Sequence, residues 1–99
     1  MSSDHEPKSW TFLTNHAQVL LCLANEPDIR LRDVAERVGI TERAAQRILA
    51  ELVDAGYVTT ERVGRRNRYT VDRDHAMRHA AQDGLDIGSL LNAMSTNTP

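Results

Sequence analysis

Arginine is the residue through which this chain offers anion chemistry. Between positions 62 and 73 lie five arginines (62, 65, 66, 68 and 73) and one acid, Asp72. Planar guanidinium groups match phosphate oxygens, and four of these arginines, Arg62, Arg65, Arg66 and Arg68, fall within seven residues. An exposed loop is polar for solubility alone, but this density exceeds that need and points to phosphate. A second set lies upstream at Arg43, Gln46 and Arg47, just after Thr41 and Glu42. Arginine can pair with a guanine edge and glutamine with an adenine edge. The plainer reading of that set is a solvated helix face, with Arg47 paired to Glu51 one turn on. Glu42 either complements the positive end of a helix or accepts from a cytosine amino group.

Other chemistries have little support. His75 and His79 have the i,i+4 spacing of zinc-binding helices, but the intervening Ala-Met-Arg lacks the glutamate of a zinc protease, and no third ligand is near in sequence. They read as surface or interface histidines, and no metal site is expected. Cys22, the single cysteine, sits in an apolar run and reads as a buried, inert thiol. The sequence contains no recognisable nucleophile–base–orienter set, no glycine-rich phosphate loop and no carboxylate pair in a motif context. No catalytic residue and no cofactor is therefore expected, and the chain does not read as an enzyme.

The 99 residues carry 12 basic and 14 acidic side chains, a formal charge of −2. The total argues weakly against a nucleic-acid partner, whereas the segregated arginines focus positive potential on one surface. With 40% hydrophobic and 26% charged residues, the composition is that of one small globular domain. The longest apolar stretch, Val19 to Ala24, is far short of a membrane span. Met1 to Lys8 is too polar and acidic for a signal peptide. A lone cysteine fits a reducing compartment, and the expected location is cytoplasmic.

Positioning these residues requires a particular set of elements. Leu13, Ala17, Leu20, Leu21 and Ala24 form one helical stripe, with Phe12, His16, Val19 and Leu23 beside it, so the first helix should be central. Asn25 to Asp28, with Pro27, ends it. Ile29 to Leu31 has the composition of a very short strand. Leu31, Val34, Ala35 and Val38 predict a second helix, with Asp33 and Arg37 paired on its outer face and Gly39 as its left-handed cap. Thr41 is the N-cap of a third helix to about Ala55, buried through Ala45, Ile48, Leu49, Leu52 and Val53. Tyr57 to Arg62 and Arg68 to Val71 read as hairpin strands around a Val63–Asn67 turn with Gly and Asn available for positive φ. Asp74 to Gln82 is either helical or an irregular arm. Asp86 caps a short helix with the stripe Ile87, Leu90, Leu91 and Met94.

A short helix, a glycine-containing turn, a longer helix and a basic hairpin make a helix-turn-helix with a wing. The fold class expected is mainly α (α+β), a winged helix-turn-helix with a two-stranded β wing and a short C-terminal helix. The runs Leu31 to Thr41, Ala45 to Leu52, Ala55 to Val58 and the wing Arg62 to Tyr69 resemble the winged helix-turn-helix regulators of the MarR/ArsR grouping, in particular small stand-alone members with a short C-terminal arm. That resemblance implies a dimeric transcription factor bound to double-stranded DNA. The paired cysteines of arsenic-type sensors and the long terminal dimerisation helices of full-length MarR proteins have no counterpart, so no effector is implied.

The expected organisation is a flexible tail over 1–11, a DNA-binding domain over 12–73, an arm and short helix over 74–94 as a candidate dimer contact, and a tail over 95–99. DNA contacts are expected from Thr41, Glu42, Arg43, Gln46 and Arg47 in the recognition helix and from Arg62, Arg65, Arg66 and Arg68 in the wing. Leu13, Leu20, Ile87, Leu90, Leu91 and Met94 are the candidate interface of a homodimer. The alternative is a winged-helix module that binds another protein and has no sequence-specific DNA binding.

Overall fold

A computed structural model describes residues 10–94. The tails expected at 1–11 and 95–99 fall, apart from residues 10 and 11, outside the described residues. The elements in chain order are α1 (Asn15–Asn25), α2 (Leu31–Val38), α3 (Glu42–Asp54), β1 (Val58–Val63), β2 (Arg66–Val71), a 3-10 turn (Ala80–Gln82) and α4 (Ile87–Ala93). This is the winged helix-turn-helix class expected from the pattern of elements.

Helix α1 begins later than its apolar stripe suggests. The Thr14 side chain accepts from the Ala17 N–H at 3.1 Å and caps the helix there. Phe12 lies ahead of the cap and is 90% exposed, in edge-to-face contact with Trp10. Val19, Leu20 and Leu23 sink into the core. Because Val19 and Leu23 come from one stripe and Leu20 from the other, α1 is buried across both, as a central helix must be.

Helix α2 closes at Gly39, whose φ of 84° is open to glycine without steric cost. The Thr41 side chain then accepts from the Ala44 N–H at 3.0 Å and starts α3. Val34, Ala45 and Ile48, each almost wholly buried, bind the helix pair to α1. Burying a side chain of the Val or Ile class stabilises by about 1.5–3 kcal/mol. Val53 departs from expectation and is 39% exposed. It stands about 100° around the helix from Leu52, on the edge of the buried stripe.

Strands β1 and β2 pair antiparallel from Val58 opposite Val71 to Val63 opposite Arg66. The turn is shorter than the sequence suggests. Only Gly64 and Arg65 lie outside the strands, and Gly64 alone takes the positive φ, 65°. Asn67 instead pairs with Arg62 in the ladder. The strand expected at Ile29–Leu31 is not formed. Tyr69 N–H donates to Pro27 O at 2.9 Å, but the Ile29 N–H is tied into the turn by donating to Glu26 O at 3.0 Å, and Arg30 already caps α2. Leu31 opens α2, and Ile29 joins the core.

Residues 72–86 form an irregular arm with one bridge, Ala76 to Asp86. Tyr57 anchors it. Its hydroxyl donates to Ala76 O at 2.9 Å, and its ring packs against His75 with centroids 4.1 Å apart. Gly88 N–H donates to Arg73 O at 2.7 Å. Asp86 caps α4 by accepting from Ser89 N–H at 3.0 Å, and Ile87 and Leu91 enter the core.

Candidate nucleic-acid interface

The recognition-helix candidates share one surface. Arg43 and Arg47 are exposed on the first two turns of α3, opposite the face buried by Ala45 and Ile48, and the exposed Gln46 flanks them. Thr41 and Glu42 stand at the helix start, where unpaired N–H groups leave partial positive charge. The Thr41 hydroxyl oxygen is engaged as the cap. Arg43 makes no hydrogen bond or ion pair among the described residues. Arg47 pairs loosely with Glu51, Nη1 to Oε2 at 3.7 Å.

Glu51 also binds across the fold. His16 Nε2 of α1 donates to Glu51 Oε1 at 2.6 Å. That bond is the main reason the Glu51 carboxyl titrates below its usual value, with the Arg47 charge acting in the same direction. The cross-helix link was not legible in sequence, because His16 reads as one member of an apolar stripe.

In the wing, alternation decides which arginine points where. Arg66 and Arg68 are two apart on β2 and share a face. Both reach the α1–α2 turn. Arg66 Nη2 donates to Asp28 O at 2.6 Å, and Arg68 Nε lies 3.6 Å from Asp28 Oδ1. Arg62 closes the tip by donating from Nε to Gly64 O at 3.2 Å. Arg65, at the apex, makes no hydrogen bond or ion pair among the described residues. Asp28 carries no motif and stands 38 residues from Arg66, so only the folded chain reveals its role. Arg37 likewise takes another partner than expected. It binds Glu26 at the end of α1, at 2.8 Å, instead of Asp33, because Glu26 meets two guanidinium nitrogens at once.

A model of the MarR family matches residues 11–68. The chain belongs to the MarR family. The matched span runs from just before α1 to within β2. Among solved structures, the MarR family protein Rv2887 of Mycobacterium tuberculosis, crystallised in complex with salicylic acid, is similar with a TM-score of 0.55 and 24% identity. That similarity covers 82% of this chain and 56% of the other. The zinc-dependent MarR family transcriptional regulator AdcR, in its Zn(II)-bound state, gives a TM-score of 0.48 and 23% identity over 68% of this chain and 48% of its own. The chain thus spans about half the length of these MarR structures. No curated protein matches the sequence significantly.

The apolar interface candidates of this MarR-family chain divide in two. Leu20, Ile87 and Leu91 are buried in the chain's own core. Leu13 and Leu90 are half-buried and Met94 is exposed. A cleft of about 730 Å³ lies between α1, the end of α3, the arm and α4, lined by Leu20, Tyr57, Met77 and Leu90 together with His16, Glu51 and Arg78. The two arm histidines serve the fold. His75 packs on Tyr57, and His79 Nδ1 accepts from Ala81 N–H at 3.0 Å. Among the described residues no three His, Cys, Asp or Glu side chains are placed to hold a metal ion. No described helix is long and apolar enough to cross a membrane. Cys22 is half-buried, and burial pushes its thiol pKa up, disfavouring the reactive thiolate.

Proposed function

We propose that the protein is a sequence-specific double-stranded DNA-binding transcriptional regulator acting in the cytoplasm as a homodimer, and not an enzyme. Residues 12–73 are the DNA-binding unit. Helix α3 enters the major groove and presents Arg43, Gln46 and Arg47 to base edges, with Thr41 at its start and Glu42 either complementing the helix dipole or accepting from a cytosine amino group. Arg62, Arg65, Arg66 and Arg68 place the wing on the flanking backbone or in the minor groove. Residues 74–94 carry the arm, and Leu13, Leu90 and Met94 are the apolar side chains it leaves for a second copy. The buried Leu20, Ile87 and Leu91 support that surface from beneath.

The observation that carries the reading is the exposed Arg43–Gln46–Arg47 face on the second helix of a helix-turn-helix followed by an arginine-rich hairpin. A random duplex library tests it, with an Arg43→Ala/Arg47→Ala variant beside the wild type. The expected result is enrichment of a two-fold symmetric site that the variant no longer selects. Unselective binding abolished by modest salt would contradict it and favour a module that binds an acidic protein surface.

A further inference from the structure

Six arginines face outward from α3 and the wing, at 43, 47, 62, 65, 66 and 68. Two of them are held by carboxylates of the same chain. Arg47 Nη1 lies 3.7 Å from Glu51 and Arg68 Nε lies 3.6 Å from Asp28. All four side chains are more than half exposed, so these pairs add little to stability. One pair lies on each of the two candidate DNA-binding elements. In each pair a carboxylate oxygen stands 3.6–3.7 Å from a guanidinium nitrogen that a phosphate oxygen could otherwise contact.

We infer that Glu51 and Asp28 act as intramolecular stand-ins for phosphate that restrain sequence-independent DNA binding. This rests on the DNA-binding reading above. In the free protein each carboxylate neutralises one arginine, and a duplex must displace it before that arginine meets a phosphate. Binding to an arbitrary duplex derives almost wholly from such phosphate contacts and the counterions they release. Withholding two arginines therefore lowers sequence-independent affinity without removing the arginines themselves. Arg43 and Arg65, which have no carboxylate partner among the described residues, remain ready to make first contact.

The surroundings of both acids are compatible with this role. His16 holds the other oxygen of Glu51 at 2.6 Å, so the carboxylate stays in place when Arg47 leaves it. Asp54 and Arg78 line the same cleft as Glu51. Arg68 also stands opposite Glu61 in the ladder, while Arg66 donates to the backbone carbonyl of Asp28 in a hollow that Glu26 and Asp33 also line.

The test is binding of the full chain to a duplex of unrelated sequence across a salt series, for wild type, Glu51→Gln and Asp28→Asn. Asp83→Asn, an exposed acid on the arm that makes no ion pair among the described residues, controls for net charge. Each of the first two variants is expected to bind about 3–10-fold tighter at low salt, with the slope of log K against log salt steeper by about 1. Circular dichroism and thermal melting of each variant separate a gain of affinity from unselective binding by an unfolded chain. Unchanged or weaker binding in both variants, or equal tightening by Asp83→Asn, would overturn the inference while leaving the DNA-binding reading intact. Absence of duplex binding by the wild type and every variant at low salt would overturn both.

Discussion

The helix pair α2–α3 and the arm that carries α4 use the same local devices to different effect. Helices α3 and α4 each start at a side-chain cap, Thr41 and Asp86, and each buries apolar side chains in the common core. The pair is fixed by fully buried side chains such as Val34, Ala45 and Ile48. The arm is fixed by Ile87 and Leu91, by the Tyr57 hydroxyl and by a close approach at Gly88. A two-turn helix such as α4 has little stability of its own and depends on where it docks. The comparison separates a rigid unit that holds the arginines from an appendage whose position rests on a few contacts.

Substitutions can break that separation, and the largest effect is expected in the rigid unit. Ile48→Ala removes a side chain that is 2% exposed and should cost about 2–5 kcal/mol. Chemical denaturation should show a lower midpoint with an unchanged slope, and every element should lose protection together. Gly88→Ala should act on the arm alone. An added Cβ would meet the Arg73 carbonyl oxygen at 2.9 Å, a backbone clash of about 1–3 kcal/mol. Hydrogen exchange should then quicken in α4 while α2 and α3 keep their protection. Equal quickening everywhere would mean that the arm and the helix pair form one cooperative unit.

Thr41→Ala comes next, removing the cap at the start of α3 for about 1 kcal/mol. The smallest effect concerns pH. The Glu51 carboxyl is held below its usual value chiefly by the His16 bond. Its contribution is therefore present above the usual carboxylate value and lost as pH falls through the lowered one. The melting-temperature advantage of wild type over Glu51→Gln should shrink on acidification. An advantage that stays constant with pH would contradict the assignment.

The same contrast explains what could be read from the sequence. The bounds of α2, the Gly39 cap, the Thr41 cap and the Asp86 cap depend on neighbours within one turn, and each is where local patterning puts it. The arm, the Arg37–Glu26 pair and the Asp28 contacts depend on residues brought together by folding. Local spacing suggested Asp33 for Arg37 and a strand at Ile29, and tertiary geometry decided otherwise. For the candidate interface, the exposure of the arginines was legible. The Arg47–Glu51 pair was legible too, from its i,i+4 spacing, but the His16–Glu51 bond and the Asp28 contacts to Arg66 and Arg68 were not, because no periodicity records a contact between α1 and α3 or between a turn and the wing.

The central claim is that α3 reads sequence and the wing holds the backbone of one duplex. The most direct measurement is the salt dependence of affinity for a selected duplex and a scrambled one. It compares wild type, Arg43→Ala/Arg47→Ala and Arg65→Ala/Arg66→Ala. The account predicts that the α3 variant loses the preference for the selected duplex. The wing variant should keep that preference while its salt slope falls by about 2, one for each lost phosphate contact. A wing variant with unchanged slope, or an α3 variant that still prefers the selected site, would contradict it.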